Sequence, residues 1–347
     1  MRYRSIIPIV AAAGLVVVAG STAAGPDALD IDVTSAVPAV RTIDYLRSID
    51  SVREYTKPKS FFGKLLEVVA GPADEATRLV RPFGVTSDSL GRLLVADPGQ
   101  RVVHIFDFEK QKYAYLKGGR RREPFVSPVG VAVDAEDNIF VSDSARARIF
   151  VFNKQGKFQR AFGEPETGQR LLRPTGLAID SVAGLIYLTD TLLHQVLVLK
   201  RDGTQVRTIG RRGTGPGEFN FPVSLALVRG TLYVVDSMNF RVQSLTAEGA
   251  FLRSFGRLGN QTGTLNRPKG IAADSDGNLY VVDALFEAVQ VFDGHGRLLD
   301  YFGSSGTGVG QFTLPAGIYI DPRDRIFIAD SYNRRIQVFR SRREAAR

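Results

Sequence analysis

The 347 residues contain no cysteine and no tryptophan, only two methionines and only three histidines. Without thiols there are no disulfides, no thiol nucleophile and no cysteine metal site. His104, His194 and His295 sit in unlike contexts, so they do not read as a zinc cluster. A chain held by no cross-link must rest on its apolar core, and this length can supply one.

Long apolar runs are almost missing too. The clearest is residues 6–18, behind Arg2 and Arg4 and ahead of Ser-Thr-Ala-Ala. It is too short to span a bilayer comfortably. Residues 1–24 therefore read as a secretory signal, with an uncleaved anchor as the other reading. Val18-Ala19-Gly20-Ser21 has the outline of a lipoprotein cleavage box, but Ser21 stands where the lipidated cysteine would be. The expected location is periplasmic or extracellular, with no integral span after cleavage. Residues 25–40 read as a flexible lead.

What the chain does have is a repeat, and a fixed period outranks length as a guide to architecture. Six segments align on Pro82, Pro128, Pro174, Pro222, Pro268 and Pro315, at steps of 46, 46, 48, 46 and 47 residues. In the second copy, "VGVAVD", "IFVSD", "IFVFN" and "FQRAFG" are short β-branched or aromatic runs separated by turn residues. Four short strands at this period form one blade of a propeller. Six copies over 82–340 predict an all-β, six-bladed propeller of four-stranded antiparallel blades. The sixth copy lacks its fourth strand. The segment 41–49, "RTIDYLRSI", alternates and is assigned to close the ring, with 60–70 as a short surface helix inside the 41–81 lead-in. The alternative closing strand is 63–71. Residues 341–347 read as a basic tail.

The phrases "RRGTGPGEFNFPVSLAL" and "GSSGTGVGQFTLPAGIYID", together with the two "DSxNxR" turns, resemble the NHL-repeat family of six-bladed propellers, especially its exported bacterial members. The resemblance spans about residues 41–340. It implies the fold firmly and the function loosely, because related propellers bind RNA, sense ligands, or act as metal-dependent lactonases and amidating lyases. Fold alone does not decide among these.

The residues must therefore be read directly. Positions after the repeat prolines should ring the central channel: Phe83, Val129, Thr175, Val223, Lys269 and Ala316. One lysine and no carboxylate or histidine argue against a metal centre there. Asp97, Asp143, Asp190, Asp236, Asp283 and Asp330 end the second strand of each copy. They read as turn caps that accept backbone N–H groups. The arginine that follows, as in Arg148, Arg241 and Arg335, is a partner for a nearby Asp. "GRRGTGPGEF" lacks the ending of a phosphate loop and reads as an interblade loop.

Net charge is +9, and its placement is uneven. The loops at one end carry Arg120, Arg121, Arg122, Arg211, Arg212, Arg241, Arg334 and Arg335, with Lys269 nearby. The first turns at the other end carry Asp88, Asp134, Asp137, Asp274 and Asp321. Arginine suits carboxylate and phosphate. Phe125, Phe219, Phe312 and Tyr332 are aromatic anchors for a partner among the same loops. The reading is an exported, non-enzymatic scaffold that needs no cofactor. It would dock an acidic protein or an anionic polymer of the cell envelope. A metal-dependent hydrolase or lyase is the alternative. Nucleic acid ranks third, because export would separate the chain from it.

Overall fold

The computed structural model describes residues 41–51, 78–119, 123–163 and 170–343. The signal and lead, the 60–70 helix, the alternative 63–71 strand and Arg120 to Arg122 lie outside them.

Six four-stranded antiparallel sheets follow one another along the chain. Blade 2 shows the pattern: Pro128–Val133, Ile139–Asp143, Arg148–Phe152 and Phe158–Phe162. The inner strand of each blade touches the next, and Ile318–Ile320 of blade 6 touches Val85–Ser87 of blade 1. The ring is closed, and the molecule is a six-bladed β-propeller.

The closing strand is Arg41–Ile49. It pairs with Arg335–Arg343 from Arg41 opposite Arg343 to Ile49 opposite Ile336, with a bulge between Tyr45 and Arg47. This pairing carries blade 6 to Arg343, past the boundary at 340 read from the sequence. Ladder hydrogen bonds to 41–43 keep 341–343 in the sheet.

Side chains alternate between the two faces of a blade with the two-residue period of a strand. Every residue of "LLVAD" (Leu93–Asp97) is buried, because both faces of a blade are covered. Leu93 and Val95 pack toward blade 6, while Leu94 and Ala96 pack toward blade 2. Six apolar clusters result, one at each blade boundary. Each fully buried Val, Leu or Phe contributes about 1.5–3 kcal/mol, so a blade is stable only between neighbours.

The second residue after the repeat proline is glycine in five copies, and the structure shows why. A Cβ on Gly317 would lie 2.0 Å from the Phe83 carbonyl oxygen, and one on Gly130 would lie 2.2 Å from that of Thr175. Adjacent inner strands approach too closely for a side chain at this level. Ser224 occupies the position in blade 4.

Candidate functional site

In blades 2 to 5 the repeat proline pairs with the Asp that ends the second strand, as in Pro174 opposite Asp190 and Pro268 opposite Asp283. In blades 1 and 6 the residue after the proline bonds the residue before that Asp. Interblade loops and second turns therefore share one end of the propeller, the loop face.

All six Asp side chains are fully buried there. Asp143 accepts the amides of Val126 and Ser127 from the incoming loop at 2.7 and 3.0 Å, and those of Ala145 and Arg146 from its own turn. Asp190 and Asp283 repeat this arrangement. Asp97 accepts Val80, Arg81 and Gln100 amides. Burial pushes its carboxyl up, but His104 and the Val80 and Arg81 amides outweigh this and hold it below the ordinary range. The side chains thus fasten the loop entering each blade to the turn leaving its second strand.

Blades 4 and 6 use a fuller version. Asp236 accepts the Asn220 amide, the Asn239 amide group, Arg241 Nε at 2.9 Å and Gln243 Nε2. Arg241 also donates to the carbonyls of Gly215 and Glu218. Gln243 Oε1 accepts the Gly217 amide. Asp330, Asn333, Arg335 and Gln337 do the same for the loop containing Gly306, Gly308 and Gly310. The repeated "DSxNxRxQ" phrase is a clamp on the glycine-rich loop that precedes it. The recurrence of GxGxG in those two copies was the signal for it.

This geometry corrects several expectations. Arg241 and Arg335 pair with Asp236 and Asp330, as expected, and the clamps take up donors that the docking reading had assigned to a partner. Phe219, Phe125 and Phe312 are buried at 0–1% exposure and belong to the core. Their rings fill the space under the interblade loops. Arg148 pairs with Glu123 at 3.1 Å. At the opposite end, Asp88, Asp134, Asp137, Asp274 and Asp321 are buried. Asp134 caps its own hairpin, and Asp137 receives Ser89 from the neighbouring blade. Much of the acidic charge expected on that face is thus engaged inside it.

The histidines have three separate environments. His104 is buried, with Nδ1 2.8 Å from the Tyr113 hydroxyl and Nε2 3.6 Å from Asp97. His194 accepts the Phe221 amide, and burial and then Arg212 lower its pKa. His295 meets Arg253 at the opposite end. Among the described residues no three His, Asp or Glu side chains are grouped to hold a metal.

What remains exposed on the loop face forms a pattern that repeat alignment had not shown. Two residues after the turn Asp, blades 3 to 6 place Leu192, Met238, Leu285 and Tyr332, which are 45, 51, 52 and 61% exposed. Blades 1 and 2 have Gly99 and Ala145 there. An apolar crescent thus runs over four consecutive blades. Exposed arginines flank it: Arg173, Arg212, Arg267 and Arg334, and Arg211, which is paired with Glu218 at 2.9 Å. Between blades 2 and 3 a cavity of about 300 Å³ is lined by Arg146, Arg148, Arg170, Leu171 and Leu172.

Of the channel-ring positions, Lys269 carries the charge. It is partly buried. Burial lowers its pKa from 10.5 to about 8, helped by Arg267 and Arg173.

Comparison with known proteins agrees with the architecture. A family model described as a 6-bladed beta-propeller matches residues 166–254, and the NHL repeat model matches 125–152 and 312–339. The curated relative "Protein brain tumor" of Drosophila melanogaster is 36% identical over 88 residues, which is 25% of this chain and 8% of that protein. The chain therefore spans a small fraction of that relative's length. Among solved structures, a Bacteroides thetaiotaomicron protein of unknown function superposes with a TM-score of 0.59 at 15% identity, covering 77% of this chain and 71% of that one. Virginiamycin B lyase from Staphylococcus aureus gives 0.55 at 13%, covering 87% and 99%. A chain of the nidogen/laminin complex gives 0.54 at 22%, covering 72% and 84%. At these identities the likeness is one of fold.

Proposed function

Because the chain is an NHL-repeat six-bladed β-propeller, we propose that it is an exported binding scaffold whose loop face docks an acidic protein surface in the cell envelope. The observation that carries this is the apolar crescent of Leu192, Met238, Leu285 and Tyr332 bordered by unburied arginines. An apolar centre with a charged rim is the anatomy of a protein interface. The fold occurs in both binding proteins and lyases and does not choose between them. The six turn carboxylates favour binding, since each is already saturated by amide, arginine or glutamine donors and none is free to act as a base.

The test is capture from envelope extract with residues 41–347, followed by association kinetics with the captured partner. Met238→Asp with Leu285→Asp should speed dissociation. Arg212→Glu with Arg334→Glu should slow association several-fold, and less so at high salt, as expected for rim charges. Lys154→Glu with Lys157→Glu, on the opposite end, is the control. Equal loss from both ends, or none from the crescent, would refute the docking face. Capture of a polymer instead would replace the protein partner.

A further inference from the structure

Lys269 follows the fifth repeat proline and so stands at the mouth of the channel on the inner strand Pro268–Ala273. The flanking inner strands put Val223 and Ala316 at the same level, neither of which carries charge. The charges that act on it are Arg267, from the loop entering the same blade, and Arg173, from the loop entering blade 3. Both arginines occupy the position just before a repeat proline. Their backbone amides are held by Asp283 and Asp190, which fixes where the side chains depart. Arg81 has the equivalent place in blade 1, held by Asp97. Alternate blades thus bring arginine to the same ring.

Among the described residues these cations have no counter-charge: Lys269, Arg173 and Arg267 form no ion pair there. The nearby Asp190 and Asp283 carboxylates are buried beneath the turns and occupied by four amides each. Lys269 is partly buried while Arg173 and Arg267 beside it are exposed, and a partly buried cation among like charges is unfavourable unless an anion joins it.

We propose that the channel mouth is an oxyanion subsite in which Lys269, Arg173 and Arg267 together receive one phosphate or carboxylate group of a small ligand. Lysine supplies a compact charge at the bottom and the arginines supply planar donors at the rim. The subsite needs no protein on the crescent, so it stands or falls separately from the docking face.

Titration calorimetry with inorganic phosphate and, separately, with citrate tests it on the full chain at low chloride. Saturable one-to-one binding of either supports the subsite: phosphate alone points to phosphoryl ligands, citrate alone to carboxylates. Losing one charged donor should weaken binding about ten- to a hundred-fold, so Lys269→Met should do this while Lys269→Arg retains binding. Arg173→Gln with Arg267→Gln should weaken it comparably. Binding to the wild type should take up protons at pH 8, seen as a dependence on buffer ionisation enthalpy, because the bound anion favours charged Lys269. Met238→Asp with Leu285→Asp should leave anion binding intact. Absence of saturable binding by both probes overturns the proposal, as does Lys269→Met binding like the wild type while its melting curve shows it folded.

Discussion

Replacing Lys269 by methionine should make the protein more stable at pH 7, and the gain should vanish in alkali. Methionine keeps the unbranched stem and removes the charge. In the folded chain the lysine pKa falls from 10.5 to about 8. Every tenfold change in proton affinity is worth about 1.36 kcal/mol, so the full difference is worth about 3.4 kcal/mol. Water reaches part of the side chain and screens it, and about 2–3 kcal/mol is the better expectation. The sign follows from proton counting. Between pH 8 and 10.5 the unfolded chain holds more protons than the folded one, so wild-type stability rises with pH across that window. Below pH 8 both states are charged and the whole cost is present; above 10.5 both are neutral and it is gone. At about 2 °C per kcal/mol for a domain of this size, Lys269→Met should melt about 4–6 °C higher at pH 7, in a buffer without phosphate or polycarboxylate. At pH 10.5 the two proteins should melt together. An equal gain at both pH values would mean that packing, not charge, is responsible. No gain at pH 7 would mean that Lys269 is solvated and the channel mouth is not a site of unpaired charge.

Gly317→Ala places a methyl 2.0 Å from the Phe83 carbonyl oxygen, and the nearest atoms it meets are all backbone. It should cost about 2–3 kcal/mol in urea unfolding, whereas Gly230, with open space around it, tests only positive φ; a harmless Gly317→Ala would show that blades 6 and 1 are further apart than described. Deleting residues 41–49 removes Ile43, Tyr45 and Ile49 from two blade boundaries and bares a sheet edge. At about 1.5–3 kcal/mol per buried side chain, the loss should exceed about 4 kcal/mol and appear as a large fall in melting temperature; a deletion as stable as the parent would assign closure to another segment.

Several features of this propeller were legible as pattern. The proline period of 46–48 residues set the number of blades, because a blade with two apolar faces requires a neighbour on each side. The missing fourth strand of the last copy, and the alternation of 41–49, indicated how the ring closes. The position of Asp143 and its counterparts was visible because an Asp ends the second strand in every copy, and each one accepts an amide of the incoming loop. Only blades 1, 2, 3 and 5 add the expected amides of the Asp's own turn. Other features depend on contacts between segments that the chain keeps apart. The sequence places Arg241 and Arg335 beside an Asp, but their grip on the carbonyls of the glycine-rich loops exists only once those loops fold back onto them. Phe219 looks like an anchor until blades 3 and 4 close over it. The crescent has a fixed place in the repeat, but only the loop face shows that Leu192, Met238, Leu285 and Tyr332 stay in water while similar residues one strand away do not. Lys269 and Arg173 lie in different blades, and ring closure brings them to one mouth. Periodicity encodes what each blade must do for itself and its neighbours. Charge and exposure at the axis depend on all six blades at once, which is why only the closed ring decides them.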